Sequence, residues 1–398
     1  MRENKKVLII HSDMSKIGGS KALALNIIKV LVENSYYVDV WAYKTSNYKD
    51  LCNFLNISLS DLDDKIRLKD MTHILRKLRI IDKFSLELLK QYIIMPLLAR
   101  IKYDDYDKNY FKKYDITINS DAQKIPIPCD INYIHFPIIA SLREKELRRA
   151  HLGKLTVFKD IYHFMILPFV NIMFKELRKG LVLVTNSKFS AKYIKKYYNK
   201  NPVILYPPVN TKCLYFKALS HRERRNYVIT IGRISVEKML ENIPIIAKYT
   251  KNVEKFIIVG STINASYQII KRIVKNAKKY SVRNKIAIIT NADRKTLTRL
   301  ILSSKIYLHT MQYEHFGISI VEGMAGGLIP VVHKSGGPWE DIVLYGKYGY
   351  GYKDLEEAGH YIELALERYN HDKEFVQNVM HHSLYFDLEI FRNRFNSC

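Results

Sequence analysis

Glu314-His315-Phe316-Gly317-Ile318-Ser319-Ile320-Val321-Glu322-Gly323-Met324-Ala325-Gly326-Gly327 stands between two short β-branched runs, Ile306–His309 and Ile329–His333. Strand-length apolar runs flanking a helical stretch read as a buried βαβ unit, and parallel strands of that kind need helices on both faces of their sheet. Glu314 falls in the loop after the first run, Gly317 permits close backbone approach, and Ile318–Ala325 reads as an apolar helix. Glu322 would then lie inside that helix. A buried carboxylate is costly without hydrogen-bond partners, so Glu322 requires either ligand hydroxyls or an internal ion pair with a lysine.

The alternation continues outward in both directions. In the first half the strand candidates are Val7–His11, Val38–Tyr43, Ile116–Ser120, Ile131–Phe136, Leu181–Ser187 and Val203–Tyr206. In the second they are Tyr227–Gly232, Phe256–Gly260, Ile286–Thr290, Ile306–His309 and Ile329–His333. The pattern reads as α/β, with one doubly wound parallel sheet in each half. Tyr206-Pro207-Pro208-Val209 and the polar run Ser220–Asn226 interrupt both periods and mark a seam. Residues 1–210 and 211–379 are the expected domains. Leu384, Leu388, Phe391 and Phe395 mark an amphipathic helix in the last stretch, about 380–398, which is expected to join the first domain.

A chain of 398 residues suits two cores. Its 64 Lys and Arg against 39 Asp and Glu give a formal charge of +25. That balance calls for an anionic partner: a nucleic acid, a phosphorylated small molecule or an acidic membrane surface. Lys-rich coding would raise it too. A basic nucleic-acid-binding protein is the outlying alternative, and no helix-turn-helix, zinc-finger or RNP-type pattern supports it. Cys52, Cys129, Cys213 and Cys398 form no CxxC pair, which excludes a disulfide framework and a zinc site and fits a reducing cytoplasm.

The opening MRENKKVLIIHSDM is expected to be neither a signal peptide nor a membrane span, its apolar run being too short. Ile161–Phe174, with Pro168 inside it, lies in a band, residues 141–200, that carries 14 Lys or Arg and 4 Asp or Glu. It reads either as core or as an apolar patch rimmed by cations, suited to an anionic bilayer surface.

Two further stretches could carry chemistry. Ile17-Gly18-Gly19-Ser20 follows the first strand and opens the helix at Lys21–Val32, where backbone amides and a helix N-terminus can receive a phosphate. It is neither GxGxxG nor a P-loop, and a tight βα turn would also use it. Gly232-Arg233-Ile234-Ser235-Val236-Glu237-Lys238 follows the first strand of the second half, so Arg233 and Lys238 can converge on one anion beyond the strand end. A solvated helix start is the plainer reading. Asp63-Asp64 and Asp104-Asp105 sit in charged stretches and make no convincing metal site.

Taken together, Gly-Arg with Lys five residues on, Glu-x7-Glu enclosing Phe-Gly, and the Gly-Gly loop resemble the retaining nucleotide-sugar glycosyltransferases of family 4. The resemblance implies the GT-B fold, two Rossmann-like domains facing across a cleft. Tyr133-Ile134-His135-Phe136-Pro137, Leu205-Tyr206-Pro207-Pro208-Val209 and Val332-His333-Lys334-Ser335-Gly336-Gly337-Pro338-Trp339-Glu340-Asp341-Ile342 resemble the branch that moves mannose from GDP-mannose to a lipid-linked oligosaccharide in α-1,2 linkage.

That branch implies a hexosyltransferase in which Arg233 and Lys238 hold the donor diphosphate without a metal, helped by Gly18 and Gly19. Glu314 would contact sugar hydroxyls, Phe316 and Gly317 would offer backbone amides with Ile318 beside them, and Glu322 would bind the ribose. His135 matches the active-site histidine near the transferred sugar. Ser187 matches a loop residue near the cleft, or is the N-cap of the helix at Phe189–Tyr198. The implied setting is the cytoplasmic face of a membrane, with the protein bound peripherally. A soluble family member using UDP-glucose or another nucleotide sugar shares every donor motif.

Overall fold

The computed structural model describes residues 5–14, 18–42, 65–70, 111–152, 170, 181–221, 223–263 and 265–397. Ile17, the two Asp pairs, Cys52, Cys398 and all of Ile161–Phe174 except Val170 lie outside them. Val170 itself is buried against Ile138, Leu183 and Ile194.

In the first half β1 (Lys6–His11) leads through α1 (Gly19–Glu33) to β2 (Tyr37–Ala42), followed by β3 (Ile66–Asp70), β4 (Ile116–Asn119) and β5 (Ile131–Ile134). Helices α2 (Ile138–Arg143) and α3 (Lys145–Leu152) precede β6 (Val182–Thr185), α4 (Lys188–Tyr198) and β7 (Val203–Ile204). The strands form one parallel sheet in the order β3-β2-β1-β4-β5-β6-β7. Leu23, Ile27, Ile28 and Leu31 put one face of α1 against Val7, Ile9 and Val38, the spacing that an apolar stripe on a helix requires.

The second half runs α5 (Thr211–Ser220), β8 (Tyr227–Ile231), α6 (Ile243–Lys248), β9 (Lys255–Gly260), α7 (Ser266–Lys279), β10 (Ile286–Thr290), α8 (Arg294–Ser303), β11 (Ile306–His309), α9 (Ile318–Ala325), β12 (Ile329–His333) and β13 (Tyr350–Tyr352). Helices α10 (Leu355–His371), α11 (Lys373–Ser383) and α12 (Leu388–Asn396) close the chain. Its parallel sheet has the order β10-β9-β8-β11-β12-β13, and its own core holds Ile229, Ile258, Leu308, Val321 and Val331.

Every expected strand is present, shifted by a residue or two at its ends. Two more, β3 and β13, border the sheets. Ile-Arg-Leu-Lys-Asp alternates apolar and polar residues and Tyr-Gly-Tyr is only three residues long, so neither carries a continuous apolar run. Among the described residues no helix is long and apolar enough to cross a membrane.

The amphipathic helix expected over Leu384–Phe395 is divided. Leu384–Phe386 is a 3-10 turn, and Asp387 caps α12 by accepting the Glu389 N–H at 3.1 Å. The same carboxylate accepts from the Thr211 N–H and hydroxyl at 3.2 and 2.7 Å, so one side chain caps both α5 and α12 where the chain passes between the sheets. Beyond it Leu388, Phe391 and Phe395 pack on the core of the first sheet.

Candidate active site

Each sheet has a point where its strand order reverses, between β1 and β4 in the first and between β8 and β11 in the second. Loops leaving in opposite directions open a crevice there, beyond the carboxyl ends of the strands. The residues that follow β1, β5 and β6 touch residues that follow β11 and β12, so the two carboxyl edges face one another.

On the second-half wall, the segment after β8 makes a 3-10 turn, Val236–Lys238. The Thr310 hydroxyl donates to the Lys238 carbonyl at 2.6 Å, and the Lys238 ammonium is paired with the Glu314 carboxylate. His309, buried at the end of β11, places Nε2 3.5 Å from the same carboxylate. Burial alone would push the Glu314 carboxyl up, but Lys238 beside it and the His309 bond hold it well below the usual range. Burial keeps His309 neutral. Its Nδ1 has no partner among the described residues, which makes Nε2–H the donor.

Arg233 lies on the exposed lip of this loop, 3.6 Å from Glu237. The structure thus brings Lys238 and Glu314 together and leaves Arg233 facing solvent from the same turn. Glu322 is bonded to Arg294 at 2.7 Å. Of the two sequence readings the described residues supply the ion pair, with an arginine from the start of α8 and no lysine. Gly317 has φ +113°, where a Cβ would lie 2.7 Å from Cδ1 of Ile320, so a side chain there is both strained and obstructed. Phe316 is buried against Tyr206 and Phe386.

The first-half wall is built differently. Gly18 is extended and α1 begins at Gly19; a Cβ on Gly19 would stand 3.2 Å from Cδ1 of Ile318 on the other wall. His11 ends β1 with its Nδ1 3.0 Å from the Ser120 hydroxyl. Asp121 is fully buried and accepts from Ser12, Gln123 and, at 3.0 Å, Lys124. Burial opposes its ionisation, yet Lys124, His11, His135 and Ser12 lower its pKa to about 2. His135 follows β5, and burial lowers its pKa to about 4 against the pull of Asp121. Ser187 is buried and accepts the Ser190 N–H at 3.0 Å, which makes it the cap of α4.

Several contacts join the walls. His315 stacks on Phe136 with ring centres 4.2 Å apart. The Tyr313 hydroxyl donates to Glu146 at 2.7 Å, and Lys192 pairs with Glu340 at 2.5 Å. Asp341 accepts the Lys188 and Phe189 N–H groups of α4 at 2.7 and 3.3 Å and the Tyr206 hydroxyl at 2.9 Å. Burial raises its pKa.

Sequence reasoning missed Asp341, His309, His11 and Asp121. His309 and His11 end predicted strands, which was a usable signal; Asp121 and Asp341 earn their places only from partners far away in the chain. Among the described residues no group of three or more His, Cys, Asp or Glu side chains is placed to hold a metal ion.

Residues 212–382 match the family model described as "Glycosyl transferases group 1". A Dictyostelium discoideum protein named "GDP-Man:Man(3)GlcNAc(2)-PP-Dol alpha-1,2-mannosyltransferase" is 24% identical over 261 residues, 59% of this chain and 51% of that one. A Kluyveromyces lactis protein of the same name is 30% identical over 243 residues, 56% of this chain and 41% of its own. The alignments thus take in about half of those relatives' length or less. Among solved structures, Anabaena HepE in complex with UDP superposes with a TM-score of 0.67 at 15% identity, over 98% of both chains. Sucrose-phosphate synthase from Thermosynechococcus elongatus does so with 0.69 at 13%, over 99% of this chain and 98% of that one. These likenesses establish the GT-B fold.

Proposed function

We propose, from the premise that this GT-B chain carries a glycosyl transferases group 1 domain over residues 212–382, that it is a retaining hexosyltransferase moving mannose from GDP-mannose to a lipid-linked oligosaccharide in α-1,2 linkage. The relatives' names motivate the donor and acceptor. The observation that carries the reading is the Lys238–Glu314 pair at the reversal point of the second sheet, on the wall whose Ile318 meets Gly19. A cation and a carboxylate side by side suit a sugar diphosphate, one meeting phosphate and the other sugar hydroxyls.

In this reading Lys238 and Arg233 neutralise charge on the departing diphosphate, with Gly18 and Gly19 closing from the first wall. Glu314, positioned by His309, receives hydroxyls of the transferred sugar beside the backbone of Phe316, Gly317 and Ile318. Glu322 receives the ribose. His135 lies next to the reacting carbon, while Ser187 acts by capping α4. The acceptor attacks from the leaving-group side and its proton passes to the departing phosphate, so no protein nucleophile and no metal takes part. The basic band at residues 141–200 supplies the contact with an anionic membrane on its cytoplasmic face, each Lys or Arg near the lipid contributing about 1 kcal/mol.

The purified chain should transfer label from GDP-mannose to a short-prenyl diphosphate carrying Man3GlcNAc2. Transfer from UDP-glucose alone would overturn the donor assignment. GDP at about 100 times its dissociation constant should stabilise the fold by about 2.7 kcal/mol.

A further inference from the structure

We infer that Tyr313 is a positioning residue: it ties the loop that carries Glu314 to the first-half wall, so that this carboxylate is set in place only when the two walls meet. The donor role of Glu314 rests on the function proposed above; the tie itself does not.

Three successive side chains of the loop between β11 and α9 part company. Glu314 turns back into its own half, toward Lys238 and His309. Its neighbours on either side leave that half. Tyr313 packs against a cluster of Phe136, Ala140, Leu147 and Phe189, where the end of β5 meets α2, α3 and α4, and its hydroxyl donates to Glu146 at 2.7 Å. His315 lies flat on Phe136, with ring centres 4.2 Å apart and planes inclined by 3°. Two rings thus straddle one carboxylate, and the opposite wall holds both.

The backbone needs that hold. Tyr313 has φ +53°, a region that a bulky side chain occupies only where its surroundings impose it. Within its own half the Tyr313 N–H donates to the Ser335 hydroxyl and the Gly337 N–H to the Glu314 carbonyl, each at 2.9 Å. Those bonds fix the main chain beside the ring and leave the ring to Glu146 and the aromatic cluster. Glu146 stands in the first turn of α3, where the helix dipole favours a negative charge.

Parting the walls takes the cluster and Glu146 away together, and Tyr313 is then free to relax toward an ordinary conformation. Its backbone turn passes directly to Glu314, the next residue, and moves the carboxylate off Lys238. Closure of the cleft and placement of Glu314 are in this way one event. A transferase gains from that order, because the sugar–phosphate bond is then weakened only with the acceptor wall present and water shut out. A ring that merely filled space would not depend on Glu146, an exposed residue of the other half.

Glu146 allows a test from across the cleft. Glu146→Ala should lower kcat about fivefold, the effect of one lost hydrogen bond, Tyr313→Phe should do the same, and the double variant should be no worse than either alone. Tyr313→Gly accepts φ > 0 without strain but loses the ring as well, so kcat should fall about tenfold or more while the Kd for GDP stays within about twofold of wild type. An unchanged kcat in Glu146→Ala, single effects that multiply in the double variant, or a parallel loss of GDP binding would overturn the tie. Melting temperatures report whether each variant folds. Should the Tyr313 variants fail to fold, amide exchange of residues 313–317 in the free chain decides: Glu146→Ala should speed it about fivefold, and unchanged exchange refutes the inference. A chain that transfers no mannose yet shows that faster exchange would sink the proposed function and leave the tie standing.

Discussion

On the second-half wall every charged group proposed to meet the donor already has an opposite charge beside it: Lys238 with Glu314, Glu322 with Arg294, Arg233 with Glu237. On the first-half wall the groups around the crevice are two imidazoles, His11 and His135, whose pKa values burial lowers, beside one carboxylate, Asp121, that Lys124 balances. The difference matches the chemistry asked of each side. A diphosphate is met by cations as well as by backbone amides, and cations in a half-buried site need counter-charges to be held there. A buried imidazole without a charge has no counter-ion to hold, so this wall needs fewer ion pairs than the other.

The comparison breaks first at Lys238. Its replacement by Ala removes a preorganised cation and strands Glu314, so transfer should fall about 10²–10³-fold, some 3–4 kcal/mol of transition-state stabilisation. Rates within a few-fold of wild type, measured with GDP-mannose at saturation, would end the donor assignment.

The neutral wall predicts acid sensitivity. The His135 pKa is about 4 when folded against 6.5 for an unperturbed imidazole. The unfolded chain therefore binds the extra proton as pH falls through that window, and stability present above pH 6.5 is lost progressively down to pH 4, about 3 kcal/mol in all. Denaturant titrations at pH 7, 5 and 4 should show the loss, and His135→Gln should flatten it. A slope the variant shares with wild type would mean that other groups set it.

Asp341 belongs to neither wall alone. Asp341→Ala leaves the Lys188 and Phe189 N–H groups of α4 and the Tyr206 hydroxyl without their acceptor, for a cost of about 2 kcal/mol, readable as a lower denaturation midpoint. The smallest effect belongs to Glu322→Gln, which keeps an acceptor for the ribose but leaves Arg294 without its counter-charge. The KM for GDP-mannose should rise up to about tenfold with kcat little changed, and a collapse in kcat would contradict a ribose role.

Most of the fold was readable because buried parallel strands are continuous apolar runs: Phe256–Gly260 and Ile329–His333 announce themselves. Ile66–Asp70 does not, since it alternates apolar residues with Arg67 and Lys69. The site divided along the same physical line. Arg233, Lys238, Glu314 and Glu322 stand in local patterns that spacing reveals. His11 finds its partner in a serine 109 residues away, and Asp341 serves amides 153 and 152 residues before it. Partnerships of that length leave no periodic trace. Glu322 shows the limit from the other side, for its need of a partner was evident while the arginine that meets it was not.

The chain passes between the sheets twice, outward before α5 and back before α12, and the two passages are tied where the Val209 N–H donates to the Phe386 carbonyl at 3.0 Å and Asp387 caps both helices. Two passages held side by side define an axis. Rotation about it bends a few backbone torsions, whereas twisting or sliding would have to stretch both tethers at once. Opening the cleft about that axis would spare the tethers and break instead the contacts that span it, such as the His315–Phe136 stack and the Tyr313–Glu146 bond.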